Sequence, residues 1–187
     1  PFVDAIGKPV VTDDMTSNGA GGWWNDIDPT VLIDDDGQAW LCWGNGTCFL
    51  AKLKSNMIEL DGDIEVINVP KYVEGPWLHK RGDMYYLTYA SMGKGKETIA
   101  YATASSMKGP WTPQGELTGM AENSFTIHPG IIEFNKKWYL FYHNATLTIN
   151  GRAGAIGRRS VCVDELQYAP DGKMIYVNQT KEGVAKK

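Results

Sequence analysis

The sequence predicts an all-β fold, part of a β-propeller with about three four-stranded blades, and three observations carry that expectation. First, three stretches can be laid over one another: DPTVLIDDDGQAWLCWG from Asp28, EGPWLHKRGDMYYLTYA from Glu74 and HPGIIEFNKKWYLFYH from His128. Second, each opens on one ionisable residue beside Pro or Gly, then runs through a short apolar stretch, a polar turn and an aromatic-rich stretch. Short apolar and β-branched spans of this kind read as strands, and no segment offers a helical period. Third, the stretches recur at a spacing of roughly 50 residues, the size of a unit of four short strands.

The elements follow in order. The polar turns Asp35-Asp36-Gly37, Arg81-Gly82-Asp83 and Asn135-Lys136-Lys137 carry hairpin chemistry and join the first strand of each unit to the second. Cys48 to Leu53, Thr98 to Thr103 and Arg159 to Val163 are expected as third strands. Ile64 to Val69, a span near Gly115 to Leu117, and Met174 to Val177 are expected as fourth strands. The blades then cover about 28–72, 74–118 and 128–180, within a single incomplete domain over 1–187. A β-sandwich is the structural alternative, but it leaves the matched phase of the three stretches unexplained.

Phase has a physical consequence. In a propeller the innermost strand of each blade runs along the central axis, so residues at the same end of those strands converge. Asp28, Glu74 and His128 are therefore expected to meet at one mouth of the channel. Two carboxylic acids and an imidazole in one pocket can move protons. A single such residue is more simply read as a local cap; three in register favour a site.

Composition narrows the partners. A net charge of −4 argues against nucleic acid and anionic membranes. No apolar run approaches the roughly 18 residues of a membrane helix. The three cysteines, Cys42, Cys48 and Cys162, show no CxxC spacing, and are expected as buried thiols rather than a zinc site or a disulfide framework. Seven Trp and nine Tyr suit pleated surfaces, and also suit stacking on sugar faces. Trp23 and Trp24 precede the Asp-Pro motif on a rim loop, where one serves as a sugar platform or packs. Asn45-Gly46-Thr47, Asn144-Ala145-Thr146 and Asn178-Gln179-Thr180 match the glycosylation sequon, a triplet common by chance. Asp34-Asp35-Asp36-Gly37 lacks the ligand spacing of a calcium loop and reads as a turn. His79 and His143 show no partner in sequence and are expected to be structural.

The segments Trp24-Asn25-Asp26-Ile27-Asp28-Pro29, Glu74-Gly75-Pro76-Trp77 and Ile127-His128-Pro129-Gly130, in that order and spacing, resemble the signatures of glycoside hydrolase family 43. The lead Pro1-Phe2-Val3-Asp4-Ala5-Ile6-Gly7-Lys8-Pro9 resembles the family's entry to its third blade. The resemblance implies a five-bladed β-propeller of which this chain is the C-terminal part. It implies an inverting enzyme, an α-L-arabinofuranosidase or β-xylosidase, that removes arabinofuranose or xylose from xylan- or arabinan-type hemicellulose. By that resemblance Glu74 is the general acid and Asp28 the helper aspartate that raises the acid's pKa and orients it. Asp26, two residues away, shares a face with Asp28 in an extended segment; Asp28 is preferred because it directly precedes the proline. His128 resembles an axial histidine beside a water-ligated cation, commonly Ca2+, on the propeller axis. Arg159 is expected to reach the sugar hydroxyls, with Arg158 its competitor because an alternating strand sends the two to opposite faces.

One expected part is missing. The family's general base is an aspartate of the first blade, and Asp4, Asp13, Asp14 and Asp26 lack that context. Blades one and two are expected on a second chain or segment, on a truncated parent, or to be replaced by a copy of this chain, and the isolated chain is expected to be inactive. A noncatalytic carbohydrate-binding propeller is the alternative function. A protein-interaction propeller of the WD-repeat type is weaker, because no Gly-His or Trp-Asp marker recurs.

Overall fold

The computed structural model describes residues 1–16 and 24–184. Among them are eleven strands and no α-helix. The strands form three antiparallel sheets, each a simple meander. The first holds β1 (Thr30–Ile33), β2 (Ala39–Trp43), β3 (Cys48–Leu53) and β4 (Glu65–Ile67). The second holds β5 (Tyr72–Arg81), β6 (Met84–Met92), β7 (Glu97–Ala104) and β8 (Thr112–Thr118). The third holds β9 (Gly130–Phe134), β10 (Lys137–Asn144) and β11 (Ser160–Leu166). Tight turns between β-branched and aromatic runs make this order. At the β9–β10 turn, Asn135 and Lys136 both take positive φ, 51° and 62°, the geometry that matches strand twist in a two-residue hairpin.

The first strands lie together: β1 packs beside β5, and β5 beside β9. That adjacency brings the starts of the three units to one place. The second sheet is covered on both faces. Every residue of β7 is buried, as are Tyr85 to Ser91 on β6. Trp40, Leu50, Leu78, Leu87 and Tyr89 fill the layer between the first and second sheets. Tyr86, Ile99, Leu117, Ile127, Leu140 and Leu166 fill the layer between the second and third. The outer sheets each keep an open apolar face. Val31, Ile33 and Val66 are exposed on one, Ile132, Phe134 and Phe141 on the other. The latter lines a groove of about 940 Å³.

Two expected elements differ. β5 begins at Tyr72, before Glu74 rather than after it. Met174 to Val177 forms no fourth strand in the third sheet, and makes one bridge, Met174 with Tyr168. The backbone of this segment is divided: Ile175 N–H donates to Gln167 O (2.9 Å), while Val177 N–H donates to Leu117 O on β8 (2.8 Å). A segment shared between two sheets cannot run a ladder in either. It ties the third sheet to the second instead, helped by Thr118 Oγ1 donating to Val177 O (2.8 Å).

His79 lies in the same seam, stacked on Tyr86 with ring centroids 4.7 Å apart. Its Nε2 pairs with Tyr168 Oη at 2.8 Å. Burial pushes its pKa down to about 3, against about 6.5 for an unfolded chain. The unfolded state therefore binds one proton more between these values, and His79 subtracts stability as pH falls from about 6.5 toward 3, at up to about 1.4 kcal/mol per pH unit. Urea midpoints measured at pH 7.5, 5.5 and 4.5 should fall more steeply for the native chain than for His79→Phe. Equal slopes would show that His79 is not the group responsible.

Candidate active site

Irregular backbone places two of the three predicted residues, Asp28 and Glu74. Asp28 takes φ 58° immediately before Pro29. The residue before a proline is normally extended, so this is a held, unfavourable conformation of the kind that clusters at functional sites. What holds it is the β2–β3 turn. Gly44 N–H donates to Ile27 O (2.9 Å) and Asn45 N–H to Asn25 O (3.1 Å), while Gly46 N–H donates to Val73 O (2.7 Å). One turn thus grips the segment before Asp28 and the strand that carries Glu74.

Glu74 sits in an irregularity of β5. The pairing with β6 shifts register between Tyr72 and Glu74 and again between Glu74 and Trp77. Gly75 has φ 59°, and Pro76 has no N–H to give the ladder. Such a bulge re-aims a side chain out of the regular alternation. Gly75 also lies close against His128: a Cβ there would lie 3.0 Å from Cγ of the ring, closer than ordinary van der Waals contact.

The side chains converge. Glu74 Oε1 lies 2.8 Å from His128 Nε2, and Glu74 Oε2 accepts from Asn45 Nδ2 at 2.8 Å. Asp28 Oδ2 lies 3.9 Å from His128 Nε2 and accepts from Gly75 N–H at 3.2 Å. One polar atom from each of Asp28, Glu74 and His128 falls within a 4.8 Å cluster. The Glu74 side chain is 14% exposed, against 27% for Asp28 and 26% for His128.

The electrostatics correct one expectation. The hydrogen bond from His128 holds the Glu74 carboxyl below its usual pKa, outweighing burial, with the charges of His128 and Arg159 adding to the effect. It is Asp28 that is raised, chiefly by burial, with the charge of Glu74 contributing. Burial works to lower the His128 pKa, but the Glu74 hydrogen bond and the charges of Asp28, Glu74 and Glu97 prevail and raise it. The expected effect of Asp28 on Glu74 is overridden because the imidazole is closer. Both shifts favour a carboxylate on Glu74 beside a protonated His128.

The other predicted residues separate. Asp26 is engaged elsewhere: its carboxylate accepts from Trp43 Nε1 (2.9 Å) and Thr16 Oγ1 (2.8 Å), so it ties Thr16 to Trp43 on β2. Arg159 lies just before β11, exposed, and its charge lowers both Asp28 and Glu74. Trp24 is half exposed on the segment before Asp28; Trp23 lies outside the described residues. Three residues escaped the sequence reading. Asn45 stood out only as a sequon, and Glu97 not at all. His143, read as structural, packs its ring 5.8 Å from that of His128, with a pKa pushed down by burial to about 4. The common end of the strands was the one available signal for Asn45 and Glu97, since both lie near the same end as Glu74.

The family model described as Glycosyl hydrolases family 43 matches residues 1–174. Beta-D-galactofuranosidase xynD of Aspergillus niger is 32% identical over 98% of this chain and 53% of its own length. An arabinoxylan arabinofuranohydrolase of Paenibacillus polymyxa is 28% identical over 99% of this chain and 33% of its own. Among solved structures, a family 43 arabinoxylan arabinofuranohydrolase from Bacillus subtilis in complex with cellotetraose superposes with a TM-score of 0.82 at 27% identity, covering 99% of this chain and 43% of that one. The chain spans about half the length of these relatives, or less.

Proposed function

This chain belongs to glycosyl hydrolases family 43, and on that premise we propose that it carries the acid side of an inverting glycosidase acting on hemicellulose oligosaccharides or polysaccharides. The observation that carries this is the cluster of Asp28, Glu74 and His128 within 4.8 Å. Glu74 is the general acid that protonates the leaving oxygen. Asp28 is too close to Glu74 to be the opposing base, because inversion places the two carboxyl groups roughly 6.5–9.5 Å apart with water between. Asp28 therefore serves as the helper that orients the acid through Gly75 N–H and adds negative charge beside it. Bound sugar excludes water, and a dry site disfavours a carboxylate–imidazolium pair. The proton then moves from His128 Nε2 across 2.8 Å to Glu74 Oε1, which readies the acid when substrate is present.

Arg159 and Trp24 are the sugar-contacting residues of this reading, Arg159 by hydrogen bonds to hydroxyls and Trp24 by stacking. Calcium takes about six to eight oxygens, and three donor atoms of which one is an imidazole nitrogen already engaged by Glu74 do not hold it. An axial Ca2+ would sit beside His128 only through water.

The base comes from the part of the fold that the relatives have and this chain does not span. Within the reading, this chain supplies three blades of a five-bladed propeller, and the open faces at Ile33 and Phe134 are where blades one and two dock. The test is hydrolysis of an aryl α-L-arabinofuranoside by the pure chain, and by the chain joined to the first two blades of the Aspergillus niger relative. The chain alone should release no sugar, and the joined protein should. Release by the chain alone would place the base within it. A joined protein that folds and binds arabinoxylan oligosaccharides without cleaving them would favour a noncatalytic binding propeller.

A further inference from the structure

We infer that Glu97 is the positioning residue that sets His128 against Glu74, acting through the backbone of the segment between β8 and β9. The inference rests on the site proposed above but concerns a residue that site does not include. Glu97 opens β7 and is 7% exposed, a rare degree of burial for a carboxylate. Its Oε2 accepts from Ile127 N–H at 3.0 Å. Its own N–H donates to Phe125 O at 3.1 Å. One residue therefore clamps the chain at both ends of the tripeptide that leads into His128.

The rest of that segment is fixed from other directions. The Ile127 side chain is fully buried in the layer between the second and third sheets. Pro129 follows His128 and locks its own φ. Gly75 closes over one face of the imidazole. With Ile127 held at its side chain and its N–H, and Pro129 stiff behind, the ring of His128 has little freedom except what the Ile127 backbone allows. That N–H has no ladder partner of its own, because β9 begins only at Gly130. Without the Glu97 carboxylate it would be a buried donor with nothing to bond, an unfavourable state that the segment relieves by shifting. A shift there moves His128, and with it the contact to Glu74.

The test reads the isotopically labelled chain by NMR at one pH, without activity, so its outcome is separate from that of the glycosidase reading. The signature is the nuclear Overhauser effect between the Gly75 Hα protons and the His128 ring. Glu97→Met keeps the length of the side chain and removes the acceptor, and this effect should be lost while contacts between β5 and β6 persist. Glu97→Gln keeps an acceptor oxygen without the charge, and should retain it. Glu97→Asp keeps the charge but is one methylene short of Ile127, and should lose it. Retention in Glu97→Met or Glu97→Asp would overturn the inference. So would loss in Glu97→Gln, which would assign the effect to charge rather than to the hydrogen bond. Should Glu97→Met fail to fold, the Gln and Asp variants decide between the same two outcomes.

Discussion

Glu74→Gln in the completed enzyme is expected to lower turnover about 10²–10⁴-fold on glycosides with poor leaving groups, the range that general acid catalysis supplies. The substitution keeps the shape of the side chain. It also keeps an acceptor oxygen for Asn45 Nδ2, now 2.8 Å from Glu74 Oε2. What it removes is the proton. A xylan or arabinan alkoxide cannot leave without that proton, whereas an activated phenolate can, so the loss on aryl glycosides should be far smaller. Equal losses on both substrates would mean that Glu74 is not the acid, and Asp28, the raised carboxyl of the cluster, would be the first to test in its place. Asp28→Asn should act differently. It removes a charge that stabilises protonated His128, so the limb of the pH profile governed by the His128–Glu74 pair should move to lower pH, with a smaller loss at the optimum.

The second large effect is on stability. Gly44→Ala is expected to cost about 3 kcal/mol or more, the strain of an unfavourable backbone region plus a steric clash. Gly44 takes φ 122°, and a Cβ there would overlap the carbonyl oxygen of Thr47 and lie 2.9 Å from Phe49 Cδ2. Backbone cannot rotate out of the way as a side chain can. The same residue donates to Ile27 O and accepts from Tyr72 Oη at 2.8 Å, so the turn that carries Asn45 moves when Gly44 moves. Gly37→Ala is the control. Gly37 is also left-handed, at φ 84°, but a Cβ there meets nothing within 4 Å, and its cost should be only about 1–2 kcal/mol. Urea midpoints compare the two variants; similar losses would show that the β2–β3 turn is not the tight hub described here.

Much of this was readable from residue order alone, for a physical reason. Strand period, turn chemistry and a recurring polar residue are local properties, and the meander topology converts a common phase into spatial convergence. Asp28, Glu74 and His128 met for that reason. What local pattern does not carry is which atoms touch across sheets. Asn45 reaches Glu74 from a turn 29 residues earlier, and Glu97 reaches Ile127 across 30 residues; neither sits at the repeated phase. The direction of the Glu74 shift was missed for the same reason. Sequence placed a like charge nearby but could not show that the imidazole would be the closer partner. Met174 to Val177 had the apolar content of a strand, yet its hydrogen bonds were claimed by two sheets at once.

The central claim is that Glu74 is the acid of an inverting reaction whose base lies across the sugar on the part of the fold that this chain does not span. The most direct measurement is the anomeric configuration of the first sugar released by the completed enzyme, followed by proton NMR before mutarotation. An α-arabinofuranoside should give the β-anomer first, because water attacks from the face opposite the leaving group. Release of the α-anomer first would require a covalent intermediate on a second carboxylate close to Glu74, and would contradict the roles assigned to Glu74 and Asp28.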